Sequence, residues 1–190
     1  IKDTASLEAF CARLQDQPYI TIDLEFIREK TYYAELALIQ VGSEAECAII
    51  DPLAPDLNMQ SFFTLLENPD IVKVFHAGHQ DIEILYMLTR KIPYPVFDTQ
   101  IVAQVCGFGE NVSYENLVNS ICGVELDKSY RVSNWLQRPL SERQLEYALA
   151  DVTHLRKIYR HLKAEAENSG RLEWLKEEME AAIELNVPLI

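Results

Sequence analysis

The sequence predicts an α/β domain: a mixed sheet of three antiparallel strands followed by two parallel ones, flanked by helices on both faces. Three observations carry this. Residues 19–25 alternate in polarity, with Ile20 and Ile22 on one side and Thr21, Asp23 and Glu25 on the other, as a strand of period two requires. Two further β-prone runs, 36–41 and 47–50, flank the hairpin loop Gly42-Ser43-Glu44-Ala45-Glu46, which makes the first three strands sequential and antiparallel. Residues 71–75 form a nearly continuous apolar run between turn signals, the pattern of a strand covered on both faces.

The other elements follow in order. Thr4 is placed to cap a helix over 4–14, whose apolar positions 7, 10, 11 and 14 recur at helical spacing. The polar segment 28–33 turns the chain after the first strand. Pro52 and Pro55 interrupt it ahead of a short helix at about 59–66, which Asn68-Pro69-Asp70 closes. His76-Ala77-Gly78 ends the strand at 71–75, and Asp81 falls in the first turn of the next helix, near the carboxyl end of a central strand where open α/β sheets bind ligands. Pro93 and Pro95 frame a short strand at Val96-Phe97. Asp98-Thr99 cap a helix to Cys106, and Ser113 caps another over 114–122 with Gly123 just past its end.

Residues 126–140 show no period but contain Lys128, Ser129, Tyr130, Arg131, Trp135 and Arg138. Loops of this length are usually functional or disordered, and Trp135 and Leu136 argue against disorder. Ser141-Glu142-Arg143-Gln144 is a capping box that opens a long helix with an apolar stripe at 145, 148, 149, 152, 155 and 158. Ser169-Gly170 stops it, and a last helix with Glu/Lys patterning covers about 171–185. With 190 residues, 48% of them hydrophobic, one core suffices. The expectation is a single domain over 1–190, with a catalytic core at about 18–163 and no helical C-terminal RNA-binding domain.

The formal charge of −13 argues against a binder steered to nucleic acid by a global basic field. It argues less against an enzyme whose divalent cations invert the potential at a carboxylate cluster. Cysteines 11, 47, 106 and 122 have neither Cys-x-x-Cys nor zinc-ligand spacing, which reads as free thiols in a reducing compartment. No signal-peptide pattern is present, and no apolar run approaches the ~18 residues of a membrane span. The expectation is a cytoplasmic protein without a membrane segment.

Tyr147 and Asp151, four apart, share a helix face. Asp23 and Glu25 share a strand face about 6.5–7 Å apart. Taken singly, each has a plain reading: exposed alternation for Asp23 and Glu25, a helix-dipole acid for Asp81, a core residue for Tyr147. Together they suit phosphodiester hydrolysis, which needs an in-line water, neutralised phosphoryl oxygens and a stabilised leaving group. Two divalent ions ~3.5–4 Å apart meet these needs. Mg²⁺ and Mn²⁺ take oxygen ligands, and a nearby phenol can orient the water. His76, at the end of a buried strand, reads equally as a core residue or a substrate-side group. Lys128 and Arg131 are candidate phosphate contacts, because little else facing the cleft is basic.

The motifs Ile-Asp-Leu-Glu-Phe at 22–26, His-Ala-Gly-His-Gln-Asp at 76–81, Phe-Asp-Thr-Gln at 97–100, Leu-Asp-Lys-Ser at 126–129 and Arg-Pro-Leu-Ser-Glu-Arg-Gln-Leu-Glu-Tyr-Ala-Leu-Ala-Asp at 138–151 resemble the ribonuclease D family, in collinear order over about 18–160. That resemblance implies a ribonuclease-H-like fold in the tyrosine-bearing branch of the DEDD exonucleases. It also implies 3′→5′ removal of nucleoside 5′-monophosphates from single-stranded RNA ends. By the same resemblance, Asp23, Glu25, Asp81 and Asp151 are ligands for two Mg²⁺ or Mn²⁺ ions, and Tyr147 positions water. The histidine-bearing branch would place its His five residues before the last Asp, where this chain has Glu146. A deoxyribonuclease of the same branch and a catalytically silent nucleic-acid-binding domain are the alternatives.

Overall fold

The computed structural model describes residues 1–28 and 33–186. The strands are β1 (Tyr19–Ile27), β2 (Glu35–Gly42), β3 (Cys47–Ile50), β4 (Val72–Phe75) and β5 (Val96–Asp98). They form one sheet in the order β3-β2-β1-β4-β5, antiparallel from β3 to β1 and parallel from β1 to β5. This is the predicted mixed sheet. β1 sits at its centre, where the antiparallel half meets the parallel half, so its carboxylates are central.

The helices are α1 (Thr4–Leu14), α2 (Gln60–Glu67), α3 (His79–Thr89), α4 (Thr99–Val105), α5 (Tyr114–Leu117), α6 (Glu142–Asn168) and α7 (Leu172–Asn186). Alternation along β1 divides the core. Ile20, Ile22 and Leu24 pack with residues of α1, α2 and α3 on one face, while Val74 and Phe97 pack with α4, α5, α6 and α7 on the other. Among the described residues, no helix is long and apolar enough to cross a membrane.

Two local expectations need correction. Asp3, not Thr4, caps α1: it is extended and accepts the Ser6 N–H at 2.8 Å, so Thr4 is already helical. The helix expected over 114–122 is one α turn that widens into a π-helical turn, Val118–Cys122, before Gly123 ends it at φ 67°. The Ser141 capping box is formed as predicted. Of the predicted turn at 28–33, residues 29–32 lie outside the described residues.

The β1–β2 register slips once. Glu25 pairs with Leu38 but Phe26 pairs with Leu36, which leaves Ala37 as the extra residue of a bulge. Its carbonyl accepts the Arg138 guanidinium at 2.7 Å. Arg138 also makes a two-point contact with Asp51, Nε to Oδ2 at 3.0 Å and Nη2 to Oδ1 at 2.9 Å. The irregular segment 126–140 is thereby fastened to the antiparallel side of the sheet.

Candidate active site

Strand period two puts Thr21, Asp23 and Glu25 on the face of β1 that α6 covers. The Thr21 hydroxyl donates to the Val152 carbonyl at 2.9 Å. Gly42 allows the close approach, since a Cβ there would lie 2.5 Å from Thr21 Oγ1 and 3.2 Å from the Val152 carbonyl oxygen. On the far side of α6, the Tyr114 hydroxyl donates to the Ala150 carbonyl at 2.6 Å. Asp151 is thus held between two docked carbonyls. Carboxylate oxygens of Asp23, Glu25 and Asp151 lie within 4.8 Å of one another.

Asp81 arrives from α3 and stands outside that trio. It is buried, and its charge is close enough to Asp23 for the two carboxylates to repel. The turn that aims it is tight. Ala77 has φ 51°, and a Cβ on Gly78 would fall 2.4 Å from Phe75 Cβ. Asp98, buried at the end of β5, accepts the N–H groups of Ala77 at 3.0 Å, Gly78 at 2.9 Å and Gln100 at 2.9 Å. One carboxylate therefore caps α4 and also secures the turn ahead of Asp81.

Behind β1, fully buried Gln40 stands opposite Asp23 in the ladder. Its amide nitrogen is 3.5 Å from Asp23 Oδ2 and 3.4 Å from Glu25 Oε1, both long contacts. Its Oε1 is buried with no hydrogen-bond partner. Among the described residues, none of the four carboxylates forms a salt bridge.

Crowding four unpaired acids has a cost in protonation. Burial raises Glu25 and Asp81 to about 8 and Asp151 to about 7. Asp23 rises well above the usual range, first through burial and then through repulsion from Asp81, Asp151 and Glu25. Such a site favours either protons or a cation. Its donors are all hard carboxylate oxygens, which fits a hard divalent ion and not a soft one.

Tyr147 lies one turn before Asp151, and both line a cavity of about 250 Å³ with Leu126, Tyr130 and Arg143 among its other walls. Burial raises the phenol above its ordinary value. Its ring is stacked on Trp135, which is 3% exposed and thus a buried anchor of the loop.

The substrate-side candidates are placed differently. Both ring nitrogens of His76 are satisfied inside the protein, Nδ1 by Thr99 Oγ1 at 2.9 Å and Nε2 by the Val112 carbonyl at 3.0 Å. Lys128 is exposed, and exposed Arg131 lies 4.0 Å from Glu115. None of the three lines the cavity. The sequence reading did not single out Gln40, which lies beside two of the carboxylates, or Arg143, which lines the cavity. Counting the register back from the hairpin would have flagged the first, and its position four residues before Tyr147 the second.

The chain matches a family model described as 3′-5′ exonuclease over residues 1–167. It is 49% identical over 183 residues to Ribonuclease D of Jannaschia sp., covering 94% of this chain and 47% of that protein. The crystal structure of Escherichia coli RNase D, described as an exoribonuclease involved in structured RNA processing, superposes with TM-score 0.96 at 36% identity, covering 100% of this chain and 50% of that one. The catalytic core of RRP6 from Trypanosoma brucei superposes with TM-score 0.86 at 29% identity, over 94% of this chain and 49% of that one. The chain spans about half the length of the curated relatives it matches.

Proposed function

We propose, from the premise that this chain belongs to the 3′-5′ exonuclease family, that it is a metal-dependent exoribonuclease of the ribonuclease D type. It removes nucleoside 5′-monophosphates from the 3′ end of single-stranded RNA. The observation that carries this reading is the convergence of Asp23, Glu25 and Asp151, oxygens within 4.8 Å of one another, beside Tyr147 in one cavity. The relatives named Ribonuclease D support RNA as the substrate.

Asp23, Glu25, Asp81 and Asp151 would hold two divalent ions, Mg²⁺ or Mn²⁺. When bound, such ions acidify water, neutralise the phosphoryl oxygens and stabilise the departing 3′-oxygen. The chain supplies the rest. The Tyr147 hydroxyl, which has no protein partner among the described residues, is available to hold the attacking water in line. Trp135 fixes the angle of that ring. Water oxygen bonds to phosphorus, the P–O3′ bond breaks, the 3′-oxygen of the shortened strand takes up a proton, and the freed nucleotide keeps its 5′-phosphate. Residues 18–163 form the catalytic core of a single domain that works in the cytoplasm.

The test is product analysis. Single-stranded RNA incubated with the protein and Mn²⁺ should yield nucleoside 5′-monophosphates, faster than matched DNA does. Nucleoside 3′-monophosphates, or an RNA that persists intact, would overturn the reading.

A further inference from the structure

The cavity beside the carboxylates has one cationic side chain among its lining residues, Arg143; Asp127, Glu146 and Asp151 also line it. Arg143 is exposed in the first turn of α6, and among the described residues its guanidinium has no hydrogen-bond or ion-pair partner. Arg131 lies 4.0 Å from Glu115, with its charge near enough to act on the Tyr147 phenol; the other arginines of this region are committed elsewhere. Arg138 is bound to Asp51 and the Ala37 carbonyl, Arg156 to the carbonyls of Ser43 and Thr153, and Arg160 to Glu44. The Arg143 charge reaches the Asp127 carboxylate in the same cavity wall without an ion pair or hydrogen bond forming between them, so the guanidinium donors at the mouth of the cavity are open to a ligand.

Arg143, Tyr147 and Asp151 are spaced four apart and share one face of α6. Eight residues of helix place the first and last about 12 Å apart along the axis. A phosphate held at the carboxylates is therefore too far to be the one that Arg143 meets. Between the two ends stands Tyr130, its ring centroid 6.5 Å from that of Tyr147, and an aromatic face suits a nucleotide base. The Asp127 carboxylate is engaged on its own loop, where it accepts the N–H and the hydroxyl of Ser129.

The geometry points to Arg143 as a substrate-binding residue that holds a backbone phosphate on the 5′ side of the cleaved bond, with Tyr130 as the wall beside the intervening nucleotide. The inference deepens the exonuclease reading and rests on it. A planar guanidinium matches a phosphate at two points, which a lysine does not. The contact reads charge and spacing, not base identity.

Binding and hydrolysis are measured separately. Fluorescence anisotropy of a labelled single-stranded RNA in Ca²⁺ should show R143A binding about tenfold more weakly than wild type. Its slope of log K against log[salt] should be shallower by about 0.7, the contribution of one phosphate contact on a single strand. Arg143→Lys should restore the slope but only part of the affinity. Lys91→Ala, which removes the same charge from a residue paired with Glu67, should change neither. A diribonucleotide, too short to span the distance, should bind R143A and wild type alike. The proposal is overturned if R143A matches wild type on the long RNA in affinity and slope, if the deficit persists on the diribonucleotide, or if wild type binds no RNA. Hydrolysis in Mn²⁺ reports on the other question. RNA that binds through Arg143 yet is never shortened would sink the exonuclease reading and leave the phosphate contact standing.

Discussion

The indole of Trp135 lies against the phenol of Tyr147, with ring centroids 6.1 Å apart and planes at 29°. Trp135 is held in turn by Arg138, whose guanidinium donates to the Trp135 carbonyl and also reaches Asp51 and Ala37. The orientation of the Tyr147 hydroxyl thus depends on a chain of contacts that ends on the bulge opposite Glu25. Trp135→Ala should lower kcat by about a hundredfold through misplacement of Tyr147, and stability by about 3 kcal/mol. Trp135→Phe should recover most of the kcat. Steady-state kinetics at a temperature where circular dichroism shows both variants folded checks this. Equal kcat for Trp135→Ala and wild type would detach the stack from the chemistry.

Asp98 secures the turn ahead of Asp81 by accepting the N–H groups of Ala77 and Gly78. Asp98→Ala leaves three backbone N–H groups without their acceptor, a loss of about 3 kcal/mol. Asp98→Asn keeps one acceptor oxygen and should fall between. Gly78→Ala, by contrast, forces the turn off Phe75, so it should reduce activity even with Asp98 intact. Urea unfolding ranks the first pair, and turnover at matched folded fraction tests the third.

Gln40 is buried with one amide atom near two carboxylates and the other with no partner. Gln40→Leu, similar in shape, removes both the weak donor and the orphaned oxygen, so unfolding free energy should move by less than about 1 kcal/mol. Divalent-ion affinity should fall about tenfold, because the carboxylates lose the group that orients them. Calorimetric titration with Mn²⁺ separates the two effects. A large stability change with unaltered Mn²⁺ affinity would make Gln40 a packing residue only.

The raised carboxyl groups set a pH dependence with a definite sign. Their folded values, about 8 for Glu25 and Asp81 and about 7 for Asp151, lie above the unfolded values of about 4. Over that interval the native state binds more protons than the unfolded one, so their contribution is fully present below about pH 4 and is lost as pH rises through 7 to 8. In EDTA, Tm should therefore fall between about pH 5 and pH 8, and Asp151→Asn should fall less. Mn²⁺ should close much of the gap by binding the native state. A wild-type decline no steeper than that of Asp151→Asn would show that Asp151 does not carry a raised value in the folded protein.

The pattern of elements was legible because each depends on neighbours in sequence: period two in β1, the hairpin loop at 42–46, the capping box at Ser141. The acids of the site were legible for the same reason, since Asp23 and Glu25 share a strand face and Tyr147 and Asp151 a helix face. What escaped depends on pairing across the chain. Gln40 meets Asp23 through a hairpin register that a single bulge residue later shifts. Asp98 reaches Ala77 and Gly78 because β4 and β5 run parallel, pairing Phe75 with Asp98. Arg143 lines the cavity because the long helix that carries Tyr147 and Asp151 begins one residue before it, a placement that depends on how that helix docks across the sheet.

The most direct measurement sets a linear single-stranded RNA against the same RNA closed into a circle, with Mn²⁺, for wild type and Asp151→Asn. The account predicts that wild type shortens the linear RNA stepwise from its 3′ end and leaves the circle intact, and that Asp151→Asn leaves both RNAs intact. Cleavage of the circle, or shortening that survives Asp151→Asn, would contradict it.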